Sequence, residues 1–308
     1  MDIMTLLNAL PGAVAQGLIW AIMAIGVYIT YRVLDIADLT VDGTLCTGGA
    51  VCIMCMLNGC NVWVAMLAAT CAGLLAGLIT GIFHTWMGIQ AILAGILTQL
   101  ALWSVNLKIM GKSNQAINVD KYDLVVSLRY IKDVPFYKNT IFVVAIIIAV
   151  VIAILYWFFG TELGCGIRAT GCNGNMARAQ GINTSLNKVL GLMISNGLVA
   201  LSGALLAQYQ GFADINMGRG SIVIGLAAVI IGEALLGKIF HNFALKMLAV
   251  AVGSIVYYLV LQVVIWFKVD TDMLKAFSAV VVAIFLAIPY WKGKFTKPAV
   301  AKGGNKNA

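Results

Sequence analysis

The sequence predicts an all-α polytopic membrane protein with about nine transmembrane segments, an inverted repeat and two broken helices. The 308 residues are 62% hydrophobic and only 10% charged, with a mean hydropathy of +0.97, whereas soluble domains carry about 25% charged residues. Many runs reach the roughly 20 apolar residues that a helix needs to cross a bilayer. One polar motif also occurs twice, far apart in the chain. The composition and the long apolar runs exclude a soluble fold.

Hydropathy predicts the nine segments at about residues 11–31, 38–57, 61–82, 88–109, 139–159, 188–210, 217–236, 243–266 and 273–290. The second and the seventh follow polar, glycine-containing sequence, so we expect both helices to be broken. The third carries Gly73, Gly77 and Gly81 at four-residue intervals, a spacing that lets membrane helices approach closely. We expect a transmembrane domain over residues 1–291 and a basic tail over residues 292–308.

The distribution of basic residues predicts how the chain lies in the membrane. The net charge is +8, and five lysines fall in the tail after Trp291. Cytoplasmic loops carry an excess of Lys and Arg, and such tails contact acidic lipid headgroups. We therefore expect a cytoplasmic C-terminus that contacts membrane lipid rather than nucleic acid. Nine spans then place the N-terminus outside, and its lack of a basic n-region argues against a cleavable signal peptide.

The motif ADLTVDG at residues 37–43 is similar to ADINMGRG at residues 213–220. Each precedes a helical segment of small residues, and five predicted segments separate the two copies. An odd number of spans makes the copies face opposite ways, so residues 11–109 and 188–290 form an inverted repeat with one segment between them. Inverted repeats with broken helices at the membrane midplane are typical of transporters. The sequence therefore predicts a transport function.

The two motifs supply the candidate residues of a substrate pathway. Asp38 and Asp214 either cap the helices that follow or contact the substrate, because a carboxylate can do both. Arg219 either pairs with Asp214 or binds an anionic group. An amino acid carries both charges and is the expected substrate. Glu233 either extends to the membrane surface or pairs with Lys238, or it gates the pathway. The predicted pathway residues are Asp38, Thr40, Asp42, Asp214, Asn216 and Arg219.

The predicted inner loop at residues 161–188 reads TELGCGIRATGCNGNMARAQGINTSLNK. Its middle has the pattern of a short amphipathic helix in which Met176, Ala177 and Ala179 pack while the polar residues face water. A short helix flanked by glycines suits a groove on a partner protein. This loop resembles the cytoplasmic coupling segment of ABC-importer permeases in the branched-chain amino acid/ribose permease superfamily. The resemblance covers about residues 15–290, and TYRVLDIADLTVDGT at residues 30–44 is most similar to the tryptophan/tyrosine-type ABC transporter permeases.

The resemblance implies a type II ABC-importer fold and a set of partners. These are two copies of a cytosolic ABC ATPase, an extracytoplasmic substrate-binding protein and a second permease copy, in a bacterial plasma (inner) membrane. ATP and Mg²⁺ would then bind to the ATPase, and this chain would hold no cofactor and catalyse no reaction. The outer loop at residues 111–138 either docks the binding protein or is simply solvated. The residues expected to couple to the ATPase are Leu163, Gly164, Arg168, Ala169, Asn173, Ala177, Arg178, Gly181, Ile182 and Asn183.

Two alternatives remain open at the level of sequence. A secondary transporter or channel would need no ATPase. A membrane-embedded prenyltransferase would use Asp35, Asp38 and Asp42 to bind magnesium and a diphosphate, but it also needs a second acidic cluster, and only Asp270 and Asp272 come close. Residues 232–239 imitate a P-loop without its Ser or Thr. The cysteines suit helix packing, and no metal site is predicted.

Overall fold

The structure of the protein is a computed structural model that describes residues 3–119, 121–122, 124–131, 139–237, 242–267, 276–277, 279–280, 282–284 and 287. It is mostly helical, as predicted. The helices α1 to α10 are Ile3–Tyr28, Val41–Leu57, Val62–Thr85, Ala91–Met110, Thr140–Phe159, Glu162–Cys172, Gly174–Ala179, Thr184–Gln210, Ser221–Leu236 and Phe243–Trp266. A π-helical turn, Ile29–Val33, extends α1, and Leu128–Ile131 is a 3₁₀ helix. The strands β1 and β2 are Asn114–Ala116 and Phe212–Asp214.

Six described helical stretches are long and apolar enough to cross a membrane: Leu7–Val33, Val62–Thr85, Ala91–Met110, Thr140–Phe159, Thr184–Gln210 and Phe243–Trp266. The second and seventh predicted segments form the shorter apolar helices α2 and α9. Their predicted starts at residues 38 and 217 lie in non-helical chain, so the expectation that both are broken is confirmed. Most of the ninth segment, 273–290, and the tail, 292–308, lie outside the described residues, and the count of nine stays a prediction.

The centre of the bundle is the antiparallel pair α1 and α8. Ser195 Oγ donates to the carbonyl oxygen of Gly26 at 2.8 Å, and Ser202 Oγ donates to that of Ile19 at 2.8 Å. Moving along α8 therefore means moving backwards along α1. In each contact a carbonyl oxygen of α1 accepts from a buried serine hydroxyl. Buried polar groups need such partners. Both helices are largely buried along their middle turns.

Glycines set the distances at which the outer helices pack on this pair. Gly73 and Gly77 of α3 lie against the backbone of Asn196 and Leu192 in α8, where an added Cβ would fall within 2.4 Å of carbonyl oxygens. The predicted packing role of the α3 glycines is therefore confirmed. In the same way, α10 packs on α1, with Ser254 Oγ donating to the carbonyl oxygen of Gly17 at 2.9 Å. Thus α3 lies on α8 as α10 lies on α1.

The short helix α2 runs parallel to the second half of α8. Thr44, in its first turn, donates to Asn196 Oδ1 near the middle of α8 at 2.8 Å. Near its end, Cys52 Sγ accepts a hydrogen bond from Gln208 Nε2 at 3.4 Å, close to the end of α8. Since α8 is long enough to span a membrane, α2 starts opposite the middle of a spanning helix.

The short helix α9 has the same relation to α1. Gly225, in its second turn, packs against Val27, and Glu233 bonds to Arg32 at the far end. Because α1 and α8 are antiparallel, α2 and α9 start near the same depth and run towards opposite ends of the bundle. This arrangement relates the first and second parts of the chain as an inverted repeat.

The two ends of the bundle carry different small elements. At the end where α4 and α8 finish, called the ladder end, β1 and β2 pair antiparallel with Asn114 opposite Asp214. Three residues per strand give too little alternation for sequence to predict. The segment between α4 and α5 also packs onto the bundle, since Ile117, Leu124 and Val126 are buried. The opposite end, where α1 finishes, carries α6 and α7 and is called the short-helix end.

Candidate functional site

The chain between α1 and α2 reverses direction through one strained residue. The amide N–H of Ile36 bonds to the carbonyl oxygen of Thr30 at 2.9 Å. Asp35 then has a φ of 58°, the only positive φ of a non-glycine residue among those described. This left-handed conformation is uncommon for residues other than glycine, although Asp and Asn tolerate it better than most. It directs residues 36–40 back into the bundle, towards the start of α2.

Asp38 lies at the end of this return and is buried. Its Oδ1 accepts from the amide N–H of Thr40 at 2.9 Å, and its Oδ2 accepts from Asn196 Nδ2 at 2.7 Å. Asn196 Oδ1 in turn accepts from Thr44. A buried carboxylate needs such partners because an unpaired charge is costly in a low dielectric. Asp38 therefore joins the start of α2 to the middle of α8.

Hydroxyl groups extend this network sideways into α3 and α4. Thr40 Oγ1 lies 2.8 Å from Thr80 Oγ1, and Thr80 Oγ1 lies 2.9 Å from Thr98 Oγ1. All three threonines are buried. The chain of hydroxyls links the first turn of α2 to two neighbouring helices at one level. Thr40 is thus part of the internal packing. It does not line the pocket that contains Asp42 and Arg219.

The second motif forms the same local turn as the first. Asp214 Oδ1 accepts from the amide N–H of Asn216 at 2.7 Å, as Asp38 accepts from the residue two positions on. In both cases the turn closes before the helix begins, since the N-cap residues are Thr40 and Gly220. Asp214 is half-buried and also accepts from Asn114 Nδ2 at 3.5 Å. Asn216 is exposed.

Asp42 connects the starts of the two broken helices. It lies in the first turn of α2, and its carboxylate accepts three hydrogen bonds from the start of α9. The donors are the amide of Gly220 at 2.9 Å, the Ser221 hydroxyl at 2.8 Å and the amide of Ile222 at 3.0 Å. Helix N-termini carry partial positive charge, and here two of them meet at one carboxylate. Asp42 thus caps a helix of the opposite repeat.

A pocket of about 260 Å³ opens beside this junction. Asp42 and Arg219 line it, together with residues from α4. The one ion pair among the described residues joins Arg32 to Glu233, so the predicted pair between Arg219 and Asp214 is not formed. Arg219 is an exposed residue that lines the pocket. Sequence reasoning overlooked three of its lining residues, Gln99, Trp103 and Asn106.

These three residues could have been found from their spacing. They occur at positions i, i+4 and i+7 of an apolar segment, which places them on one face of a helix. Each of the other faces of α4 is dominated by aliphatic residues, many of them exposed. A polar stripe on an otherwise apolar membrane helix marks a surface that faces protein or water rather than lipid.

The predicted coupling segment forms two short helices, α6 and α7, followed by the start of α8. Asn173 caps α7 by accepting from the amide of Met176 at 3.1 Å, and Asn183 caps α8 by accepting from the amide of Leu186 at 3.1 Å. Gly181 has a φ of 79° between them. Gly164 packs so closely that an added Cβ would fall within 2.4 Å of Phe158 and Phe159. These residues therefore determine the shape of the segment.

The remaining coupling residues differ in exposure. Arg168 is exposed, and its guanidinium carbon lies 5.3 Å from the centre of the Phe243 ring. Ala169 and Ile182 are half-buried, and Leu163 is 52% exposed. Arg178 Nη2 lies 3.5 Å from Thr184 Oγ1.

Met176, Ala177 and Ala179, the predicted packing side of α7, are only partly covered by this chain. Only Ala177 is buried, while Ala179 is exposed and Met176 is 64% exposed. A helix of six residues has fewer than two turns, so only one of its sides can lie against the bundle. The apolar side of α7 that stays uncovered is available to another protein.

Glu233 pairs differently from what the sequence suggested. Its Oε1 lies 2.9 Å from Nε of Arg32, which joins the end of α9 to the π-helical turn after α1. The predicted partner Lys238 lies outside the described residues. Exposed ion pairs of this kind contribute about 0–1 kcal/mol to stability, so the contact positions the two helix ends more than it stabilises them.

The three aspartates at positions 35, 38 and 42 do not form one cluster. Asp35 is exposed, Asp38 bonds to Asn196, and Asp42 bonds to the start of α9. Within the described ranges, no three His, Cys, Asp or Glu side chains converge as metal ligands. Asp270 and Asp272 lie outside those ranges. The arrangement gives no support to a magnesium–diphosphate site.

Residues 10–289 match the family described as "Branched-chain amino acid transport system / permease component". A tyrosine transport system permease protein of Clostridioides difficile (strain R20291) is 38% identical over 292 residues, covering 91% of each chain. An uncharacterized protein of Rickettsia prowazekii (strain Madrid E) is 35% identical and covers 91% of this chain and 98% of its own. A fructose import permease protein of Bifidobacterium longum (strain NCC 2705) is 27% identical, covering 80% of this chain and 68% of its own.

The match to the family extends over nearly the whole of the predicted transmembrane domain, so the resemblance predicted from the coupling segment is confirmed. The family and its tyrosine and fructose relatives are transport permeases rather than enzymes, which excludes the prenyltransferase alternative. The chain therefore belongs to the branched-chain amino acid transport system / permease component family, and it is a multi-pass membrane permease component of an ABC-type transporter.

Proposed function

We propose that this chain is the translocation subunit of an ATP-driven importer for an amino acid. The observation that carries the proposal is the junction of α2 and α9, which lies beside the middle of the spanning helix α8. Two interrupted helices meet there, start to start, beside a pocket lined by Asp42 and Arg219. Interrupted helices at such depth are a common way to build a solute site. The junction is also an element that can change its conformation during alternating access.

Membership of the family implies an ATPase subunit and a substrate-binding protein as partners. The short-helix end suits the ATPase, because α6 and α7 present Leu163, Met176 and Arg178 to solvent beside glycine-defined turns. ATP binding and hydrolysis in the partner would shift this segment between two positions. The membrane helices would then open alternately to each side of the membrane. ATP would drive this change by binding one of the two states more tightly than the other. In this arrangement the short-helix end and the C-terminus face the cytoplasm.

The same geometry supports a second copy of the chain. Arg219 is exposed and Asp42 is half-buried at about the membrane midplane. A charged side chain facing lipid at this depth is strongly unfavourable, so such residues face protein or water. Two permease copies that enclose the pathway between their pocket sides would satisfy this requirement. The bacterial plasma membrane is the expected location, with the binding protein docking at the ladder end.

An amino acid is the proposed solute class, and the 38% identical tyrosine permease supports it. The free guanidinium of Arg219 can bind a carboxylate, since Arg forms two parallel hydrogen bonds to that group. The carboxylate of Asp42 lines the same pocket and attracts an ammonium. One zwitterion therefore fits the charges of the pocket.

The proposal is tested by affinity purification from native membranes and mass spectrometry of the bound proteins. We expect an ABC ATPase in stoichiometric amount, which is lost when Arg168→Glu and Gly181→Val are introduced. Gly59→Val is the matched control. Gly59 also has a positive φ, 85°, so valine causes a similar strain there. Because Gly59 lies in a turn remote from the short-helix end, this variant should keep the ATPase. A protein that purifies alone and still moves solute in liposomes would instead be a secondary transporter.

A further inference from the structure

One buried acceptor in the pocket has no partner. Asn106 of α4 is 1% exposed and lines the pocket. Its Nδ2 lies 3.4 Å from the carbonyl oxygen of Gly43, which fixes the orientation of the amide. Its Oδ1 makes no hydrogen bond within the described part of the chain. Buried polar atoms are nearly always paired in folded proteins, so this oxygen is suited to a donor that arrives with a ligand.

The rest of the pocket defines what that ligand looks like. Trp103 is 44% exposed and offers an aromatic wall, and Leu100 and Ile215 add apolar surface. Gln99 lies one turn from Trp103 and makes no side-chain hydrogen bond to described residues. The volume of about 260 Å³ falls just below the range of roughly 300–1,000 Å³ found for drug-sized ligands. The pocket therefore suits one small solute with an apolar body.

We propose that this pocket selects amino acids whose aromatic side chain carries a hydrogen-bond donor, a phenol or an indole, and that Asn106 is the acceptor for that donor. The inference rests on the proposed import of amino acids. Arg219 binds the carboxylate, Trp103 packs against the ring, and Oδ1 of Asn106 accepts from the ring O–H or N–H. An amino acid without the donor leaves this oxygen unpaired, and a site with an unpaired buried group discriminates against such a solute.

The test compares tyrosine with phenylalanine, which differ by the one hydroxyl. Uptake of each radiolabelled amino acid is measured in cells that express the complete transporter with either the wild-type permease or Asn106→Leu. We expect the ratio of tyrosine to phenylalanine uptake to fall by about 3- to 10-fold, the effect of one neutral hydrogen bond. Because both solutes are measured in the same cells, the ratio does not depend on how much variant folds. An unchanged ratio would overturn the inference.

A second variant covers the case in which Asn106→Leu transports nothing. Trp103→Leu removes the aromatic wall from a partly exposed position and should raise the KM for tyrosine several-fold more than that for leucine. Trp86→Leu is the control, since Trp86 is 82% exposed and lies in the turn before α4, outside the pocket. If Trp103→Leu behaves like this control, the pocket does not select the ring.

Uptake by the wild-type transporter distinguishes a failure of the proposed amino acid import from a failure of the inferred selectivity. If it takes up none of tyrosine, phenylalanine, tryptophan or leucine, the proposed amino acid import fails. If it takes up leucine but no tyrosine or tryptophan, amino acid import stands and the selection of donor-bearing rings is wrong.

Discussion

At the scale of single residues, Asp42 makes three hydrogen bonds to the other repeat, more than any other side chain in the described ranges. Its carboxylate satisfies two backbone amides and one hydroxyl at the start of α9. The first amides of a helix have no partner within the helix, and here a residue some 180 positions away supplies it. Asp38 and Asp214 each close a turn instead. The sequence placed all three aspartates on one predicted substrate pathway, whereas their contacts differ.

We expect Asp42→Ala to lower the free energy of unfolding by about 0.5–2 kcal/mol, the range for the loss of an N-terminal helix cap. Unfolding of the purified protein in detergent, followed by circular dichroism, measures this change. Asp35→Asn is the control, because Asp35 is exposed and Asn tolerates its positive φ equally well. Equal stability of Asp42→Ala and Asp35→Asn would show that the carboxylate does not stabilise α9.

At the scale of elements, the broken helices are held in place by backbone contacts at glycines. Gly48 of α2 and Gly203 of α8 lie where α2 crosses α8. An added Cβ would fall within 2.0 Å of the carbonyl oxygen of Ala200 or Leu45. In membranes such close approach, rather than a hydrophobic driving force, holds helices together. The depth at which α2 starts therefore depends on small residues in both helices.

We expect Gly48→Ala and Gly203→Ala each to destabilise the protein by about 1–3 kcal/mol, as overpacking of a tight interior does. Thermal unfolding in detergent provides the measurement. Gly174→Ala is the matched control, since an added Cβ there meets nothing within 4 Å. If all three variants unfold at the same temperature, the α2–α8 crossing is looser than its backbone distances indicate.

Much of the helix arrangement was predictable from the sequence. There are physical reasons why the other features were not. Long apolar runs determined the six spanning helices, and the polar stretches before residues 41 and 221 indicated the two breaks. The β1–β2 ladder pairs residues about 100 positions apart, and such pairing leaves no local pattern. Within the site, Asp42 and Arg219 were predicted and share a pocket, but Thr40 and Asp38 are internal. Asn106 was missed because a single buried amide in an apolar helix resembles ordinary packing.

At the scale of the whole molecule, the pocket side and the α5 side of the bundle must face different surroundings. Leu100 of α4 is 64% exposed beside the pocket, and Val150 of α5 is 51% exposed in the most hydrophobic helix. Exposure alone does not distinguish lipid from water. The charged groups at the pocket favour water or a second copy on that side, whereas α5 carries no charge along its length.

We expect a cysteine at Leu100→Cys to react with a charged, membrane-impermeant thiol reagent at least several-fold faster than a cysteine at Val150→Cys. The reason is that thiolates form in water and not in hydrocarbon. Labelling of intact transporters, in a background with the seven native cysteines replaced by serine, provides the measurement. Equal and slow labelling at both positions would place the pocket side against lipid.

The contacts of Asp42 also have a consequence for how the protein is made. Its three partners lie 178–180 residues further along the chain. A ribosome that adds about 5–20 residues per second therefore completes them roughly 10–40 s after Asp42 itself has been synthesised. During that interval the first repeat is already in or near the membrane, and the carboxylate of Asp42 lacks these three donors. The first half of the chain cannot reach its final arrangement by itself, and synthesis of the second half completes it.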